Sequence, residues 1–250
     1  MTAITQLLPL LAQQDQQALL EFGNTTLERV SRGQSLSQVL DFIVCNIEAK
    51  MPEIRCSILL LDPKTQSLYH AAAPNLPESY HRLINGVQIG ADVGSCGTAA
   101  YLRIPVLSTD IASDPLWLKY QELAATYHLG ACWSSPVLST QGDVLGTFAV
   151  YWREALTGDL PVELQTYIAT ATLLVAIVLE RTQREQALTD AQQHLQQQVD
   201  ELRRWQQVML NREKRVLELK AEVNLLLLEQ GKPPRYTYTV TTTALNEHKP

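Results

Sequence analysis

Gly94-Ser95-Cys96-Gly97-Thr98-Ala99-Ala100 is the stretch in which residue types and spacing first suggest chemistry. Two glycines let backbone N–H groups come close to a ligand, and a loop that opens a helix presents donors to an anion. Thr98 adds a hydroxyl. No Gly-Lys-Ser/Thr follows and the G-x-G-x-x-G spacing is absent, so neither phosphate-binding fingerprint is present. A purely structural tight turn fits the same residues. Cys96, beside a helix N-terminus, is placed where a thiol can become a nucleophile or redox sensor, or can simply be a small buried side chain. A second group follows in Asp110, Asp114, Trp117, Tyr120, His128 and Trp133. Aromatic walls with a few polar groups suit a small-molecule pocket, and they also suit a core. His128 and Cys132 are four apart, but no second pair completes a metal site, so no metal is expected. Cys132 points to the strand face opposite Trp133 and reads as packing. Cys45 and Cys56 read as small core hydrophobes.

The elements that must position these residues follow from periodicity. Helical spacing covers 14–28 and 35–49, with Ser35 as N-cap for Leu36, Val39, Leu40, Ile43 and Ile47. Cys56 to Leu61 and Ser67 to Ala72 read as a hairpin around Asp62-Pro63-Lys64, and a short helix covers Glu78 to Ile84. Strand signals recur at Val87 to Ile89 and Pro105 to Ser108. One helix is expected from Asp114-Pro115 to His128, carrying Trp117, Tyr120 and Leu123 on one side as the roof of a pocket. Ala131 to Leu138 and Val144 to Trp152 form the clearest hairpin, with Pro136 marking a bulge or an edge. The order specifies an α+β fold, an antiparallel sheet flanked by helices.

The breakers are uneven. Eight of 11 glycines fall between Gly86 and Gly158, whereas the 69 residues from Val162 to Gln230 contain neither Gly nor Pro. Such a helix would be about 100 Å long, too long to lie on one small domain, so it must kink or pair. A seven-residue repeat supplies the pairing face. Its a positions are Leu188, Leu195, Leu202, Met209, Val216 and Val223. Its d positions include Trp205, Leu219 and Leu226, with Gln198 and Arg212 as polar exceptions. A sustained heptad implies a left-handed coiled coil, most simply a homodimer. Arg215 and Lys220 would face each other in a parallel pair, so ion pairs do not set the orientation.

Charge excludes one large class of partner. Residues 1–180 carry 17 acidic and 9 basic side chains, residues 181–230 eight of each, within a chain of net charge −6. That distribution gives no footprint for nucleic acid. The N-terminus lacks a basic signal-peptide region, and the apolar run from Ala169 to Leu179 is short for a membrane span. Four cysteines without a signal peptide suggest a reducing compartment, so a cytoplasmic protein with no membrane association is expected.

The run GSCGTAAYLRIPVLSTDIASDPLWLKYQELAATYHLGACWSSPVLSTQGDVLGTFAVYW resembles the GAF domain family of bacterial signalling proteins, over about residues 20–180. The resemblance implies a six-stranded antiparallel sheet with helices behind and a ligand pocket in front. LRRWQQVMLNREKRVLELKAEVNLLLLEQGKPPRY also looks like a helical tail that follows PAS or GAF sensors. This divides the chain into an N-terminal helical extension (1–19), a sensor domain (20–180), a coiled-coil signalling helix (181–230) and a tail (231–250). The resemblance implies a non-enzymatic small-molecule sensor that signals through a dimeric coil to a partner in trans, as two-component-like systems do. It leaves the ligand and any cofactor unknown. The cyclic-nucleotide NKFDE-like pattern is absent, Tyr127 replaces the Cys of the bilin Cys-His pair, and no haem signature is present. Two alternatives stay open: an enzyme like the free methionine sulfoxide reductases using Cys96, and a structural dimerisation protein with an empty pocket.

Overall fold

The computed structural model describes residues 13–158 and 160–237, so the expected extension before Gln13 and most of the tail lie outside the described residues. In chain order the elements are α1 (Gln13–Ser31), α2 (Leu36–Lys50), β1 (Ile54–Asp62), β2 (Ser67–Ala72), α3 (Glu78–Ile84), β3 (Val87–Gln88), α4 (Gly94–Leu102), β4 (Val106–Ser108), a 3₁₀ helix (Pro115–Tyr120), α5 (Gln121–Thr126), β5 (Ala131–Leu138), β6 (Val144–Trp152) and α6 (Val162–Glu229). Strands pair antiparallel in the order β3-β2-β1-β6-β5-β4. The chain divides into two units after Glu185.

Alternation along the strands separates two cores. Cys56, Ile58, Phe148, Val150 and Trp152 face the back, where they meet Val39, Ile43 and Ile47 of α2 and Ile168, Ala171 and Val175 of α6. Leu59, Leu68, Cys132, Ala149 and Tyr151 face the front, under α3, α4 and the 3₁₀ helix. Each fully buried aliphatic side chain of the back core stabilises by roughly 1.5–3 kcal/mol relative to exposure. By length and composition α6 contains a stretch apolar enough to cross a membrane, and 56% of that stretch is buried inside the protein. The apolar stretch is therefore longer than the run from Ala169 to Leu179 suggests, and its buried side chains, among them Ile168, Ala171 and Val175, pack on the back of the sheet.

Local chemistry fixes the ends. Ser35 accepts from Gln38 N at 3.4 Å while Gln38 Oε1 accepts from Ser35 N at 3.0 Å, a reciprocal cap on α2. At its far end buried Glu48 accepts from Cys56 N at 2.7 Å and from Asn75, tying α2 to β1 and to the chain after β2. Gly146 permits β6 to pass β1, because a Cβ there would lie 2.1 Å from Leu59 O. Pro136 sits where β5 has outrun β4, whose pairing ends at Ser134, so its missing N–H leaves no carbonyl unserved. Cys45 departs from its expectation. It is exposed because the buried stripe of α2 runs through Val44 and Ile47 on either side of it.

In the second unit the a and d side chains from Leu188 to Leu226 are exposed in the single chain, Leu188 by 69% and Leu202 by 68%. Arg215 bonds Glu218 at 3.2 Å and Glu222 at 3.5 Å within its own helix, so it is not left as a bare charge. After Gly231 (φ 71°) the chain turns back and Asn224 holds it, accepting from Arg235 N and Tyr236 N at 2.9 and 3.0 Å and donating to Tyr236 O at 2.7 Å.

Candidate functional site

A cavity of about 50 Å³ lies on the front of the sheet, between β1, β2 and β6 below and α3, the turn into α4 and the 3₁₀ helix above. Proline at the first position of the 3₁₀ helix and Asp114 Oδ1, which accepts from Leu116 N at 2.9 Å, start it in the tight winding. In a 3₁₀ helix residues three apart eclipse. Trp117 and Tyr120 therefore both reach the cavity, joined by Leu123 from α5. One helix to His128 was expected; the structure breaks it at Tyr120, and the break aims these rings. Trp117 Nε1 donates to Ser95 Oγ at 3.0 Å, and Ser95 Oγ donates onward to Cys132 O at 3.5 Å. The lid is thus pinned through α4 to β5. Gly94 (φ 54°) lies under the Trp117 ring, where an added Cβ would come to 3.8 Å.

The floor is polar for so deep a position. Tyr151 Oη lies 3.1 Å from Ser57 Oγ, accepts from Tyr80 Oη at 3.1 Å, and lies 3.6 Å from Cys96 Sγ. Burial pushes the Tyr80 and Tyr151 hydroxyls far up, so both stay protonated. The Cys96 thiol is lowered to about 7, first by the Cys132 thiol donating to it, against burial, with further help from the hydroxyls of Ser134, Tyr151 and Thr147. Burial holds the Cys132 thiol well above its ordinary range. Among the described residues, no charged side chain lines the cavity.

Of the residues singled out in the sequence, Cys96, Trp117 and Tyr120 meet at this cavity. Thr98 lies one turn deeper and accepts from Val93 N at 3.2 Å, bracing the start of α4. Asp110 and Asp114 serve their own loop instead. Asp110 accepts from Ala112 N at 3.2 Å and from Ser113 Oγ at 2.6 Å. His128 takes φ 52° after α5 and lines a separate cleft with Arg55 and Arg153. Trp133 is a correction to the pocket group. Strand alternation puts it on the back face, packed on that core with Nε1 donating to Ser135 Oγ at 3.0 Å, because its neighbour Cys132 faces front. Ser57, Tyr80, Ser134, Thr147 and Tyr151 were not foreseen. The available signal was the alternation of small or polar residues at 147, 149 and 151 with the large apolar ones at 148, 150 and 152.

Comparison with known proteins supplies the decisive observation: the GAF domain family matches residues 33–180. The chain belongs to the GAF domain family. This GAF chain is 34% identical, over 186 residues and 74% of its length, to the methyl sulfide methyltransferase-associated sensor of Methanosarcina acetivorans. It spans 18% of that protein's length. In fold it resembles the GAF domain of a phosphoenolpyruvate-protein phosphotransferase from Coxiella burnetii, with TM-score 0.56 and 18% identity, covering 68% of this chain and 98% of that one. It also resembles the free methionine-R-sulfoxide reductase of Neisseria meningitidis, with TM-score 0.53 and 14% identity, covering 68% and 91%. GAF membership and a relative named as a sensor support a sensor role.

Proposed function

We propose that this GAF chain is a small-molecule sensor without catalytic turnover, in which occupancy of the front cavity biases the pairing of α6 in a homodimer read by a partner protein. The observation that carries the reading is that β6 serves both faces. Its Tyr151 forms the cavity floor, while Phe148, Val150 and Trp152 on its other face pack in the core that seats the first turns of α6. Glu180 of α6 also accepts from Thr140 N in the β5–β6 turn. A ligand larger than a few atoms needs the lid to lift, because about 50 Å³ is far below the roughly 300 Å³ of ordinary ligand pockets. Lifting the lid shifts Trp117, Ser95 and α4 against β5 and β6. Two arrangements of one packed strand are what a ligand can select between. Beyond Glu185 the heptad stripe gives the paired state its interface. The soluble, cytoplasmic setting belongs to this reading, as does the absence of membrane and nucleic-acid partners.

Native mass spectrometry of the full chain purified from its own host tests it. The expected result is a dimer that carries a retained small molecule. A monomer, or a dimer that is always empty, contradicts it. Deleting residues 185–230 should abolish the dimer.

A further inference from the structure

Cys96 and Cys132 both belong to the front core, at the seam between α4 and the sheet. Cys96 lies in the first turn of α4, half-buried, with its thiol in the cavity. Beneath it Tyr151 and Cys132 are direct cross-strand partners on β6 and β5, both buried, and Tyr151 Oη lies 3.6 Å from Cys96 Sγ. Two more buried hydroxyls, of Ser134 and Thr147, lie on the same face of the same two strands. Neither makes a hydrogen bond of its own in the neutral arrangement. An orphaned buried hydroxyl is costly, and two of them beside a buried thiol are a donor set waiting for an acceptor. The acceptor that fits is a thiolate. Thiolates are nucleophiles, and here no cation is needed to hold the charge. The titratable groups that face it are Cys132 from β5, Tyr151 from β6 and Tyr80 from α3, with Asp114 acting on Cys132 from the loop before the lid.

The cavity has room for only a few heavy atoms, and its lining is mostly apolar. A small neutral electrophile fits that description, and the adjacent second thiol says what happens next. Resting on the sensor reading above, we propose that Cys96 is an oxidation site for small hydroperoxides and Cys132 its resolving thiol. The Cys96 thiolate attacks the outer peroxide oxygen, the O–O bond breaks, and the alkoxide or hydroxide leaves with a proton, giving Cys96 sulfenic acid and an alcohol or water. The Cys132 sulfur, losing its proton, then displaces the sulfenic hydroxyl as water and a Cys96–Cys132 disulfide forms. In sum two thiols lose two electrons and two protons while one hydroperoxide becomes one alcohol and one water. An external dithiol reverses the change by thiol–disulfide exchange. The bond draws the first turn of α4 onto β5, at the point where Ser95 links the Trp117 ring to Cys132 O. The oxidised state is therefore felt first in the lid.

The test is hydrogen peroxide added to the reduced full-length chain at pH 7, followed by alkylation and peptide mass mapping. The expected product is a disulfide between Cys96 and Cys132, formed about tenfold faster than oxidation of exposed Cys45. Cys132→Ser should stop at a sulfenic acid on Cys96 that dimedone traps, and Cys132→Ala gives the same readout should the serine fail to fold. Cys96→Ser should abolish both products. Alkylation of Cys96 should titrate with a midpoint of about 7. In a Ser134→Ala/Thr147→Val double variant the midpoint should rise, with the rate at pH 7 falling about tenfold for each unit gained. Oxidation of Cys45 before Cys96, no link to Cys132, or an alkylation midpoint near 9 would overturn the proposal. Inert thiols in a dimer that retains its small molecule sink this inference alone. The disulfide formed in an empty monomer sinks the dimer-sensor reading and leaves this one standing.

Discussion

The back and front of one six-stranded sheet have been built to different rules, although the same strands make both. On β6 the back receives Phe148, Val150 and Trp152, and the front receives Thr147, Ala149 and Tyr151. The back core is apolar, aliphatic and aromatic together, and is closed by two long elements, α2 and α6. The front holds a glycine-opened helix, a 3₁₀ lid, a small cavity and buried hydroxyls without partners. Buried polar atoms without partners occur on both sides, at Asn46, Tyr167 and Thr170 on the helices behind and at Ser134 and Thr147 on the sheet in front. Only those in front lie on the face that also carries the cavity.

Substitutions on the two faces should separate accordingly. Phe148→Ala, which opens the back core, should cost about 3–5 kcal/mol in chemical denaturation. A loss under about 1 kcal/mol would mean that the back does not carry the fold. Trp117→Phe in front removes the bond to Ser95 and part of the buried ring, and should cost roughly 1–3 kcal/mol while loosening the lid, seen as faster amide exchange over 115–126. Unchanged exchange there would show that the bond does not hold the lid. Thr147→Val keeps the shape and deletes an orphaned hydroxyl, so stability should stay level or rise by up to about 1 kcal/mol. A clear fall would show the hydroxyl already bonded in the neutral state. The smallest effect concerns pH. Burial, reinforced by the stacked His81 ring at 3.7 Å, holds the His70 pKa below its ordinary 6.5. The folded state thus favours the neutral ring. That contribution is complete above pH 6.5 and is lost as pH falls below it, where the unfolded chain takes up the proton first. His70→Gln should flatten this slope in thermal melts between pH 6.5 and 5, and an unchanged slope would assign it elsewhere.

Much of the back was legible from sequence because its signals are local. The 39, 40, 43, 47 spacing of α2, the two hairpins and the breaker-free helix each lie within a single element. The front was legible only in part. Cys96, Trp117 and Tyr120 announced themselves through glycine spacing and aromatic character. Their counterparts Ser57, Tyr80, Ser134, Thr147 and Tyr151 are scattered across 95 residues and are brought together by strand register and, for Tyr80, by the packing of α3 on the sheet. Trp133 was misgrouped because nearness in sequence outweighed alternation, although Cys132 had already been assigned the opposite face. The lid's change from 3₁₀ to α winding at Tyr120 had no periodic signature, because each piece is only 6 residues long.

Amide hydrogen exchange on the full chain, comparing protein that retains its small molecule with the same protein stripped by unfolding and refolding, tests most directly whether the two faces are coupled. The expected result is a change in protection at the lid (115–126) accompanied by changes along β6 (144–152) and in α6 on both sides of Glu185. A change confined to the lid, with β6 and α6 exchanging alike in both samples, would contradict the coupling through β6.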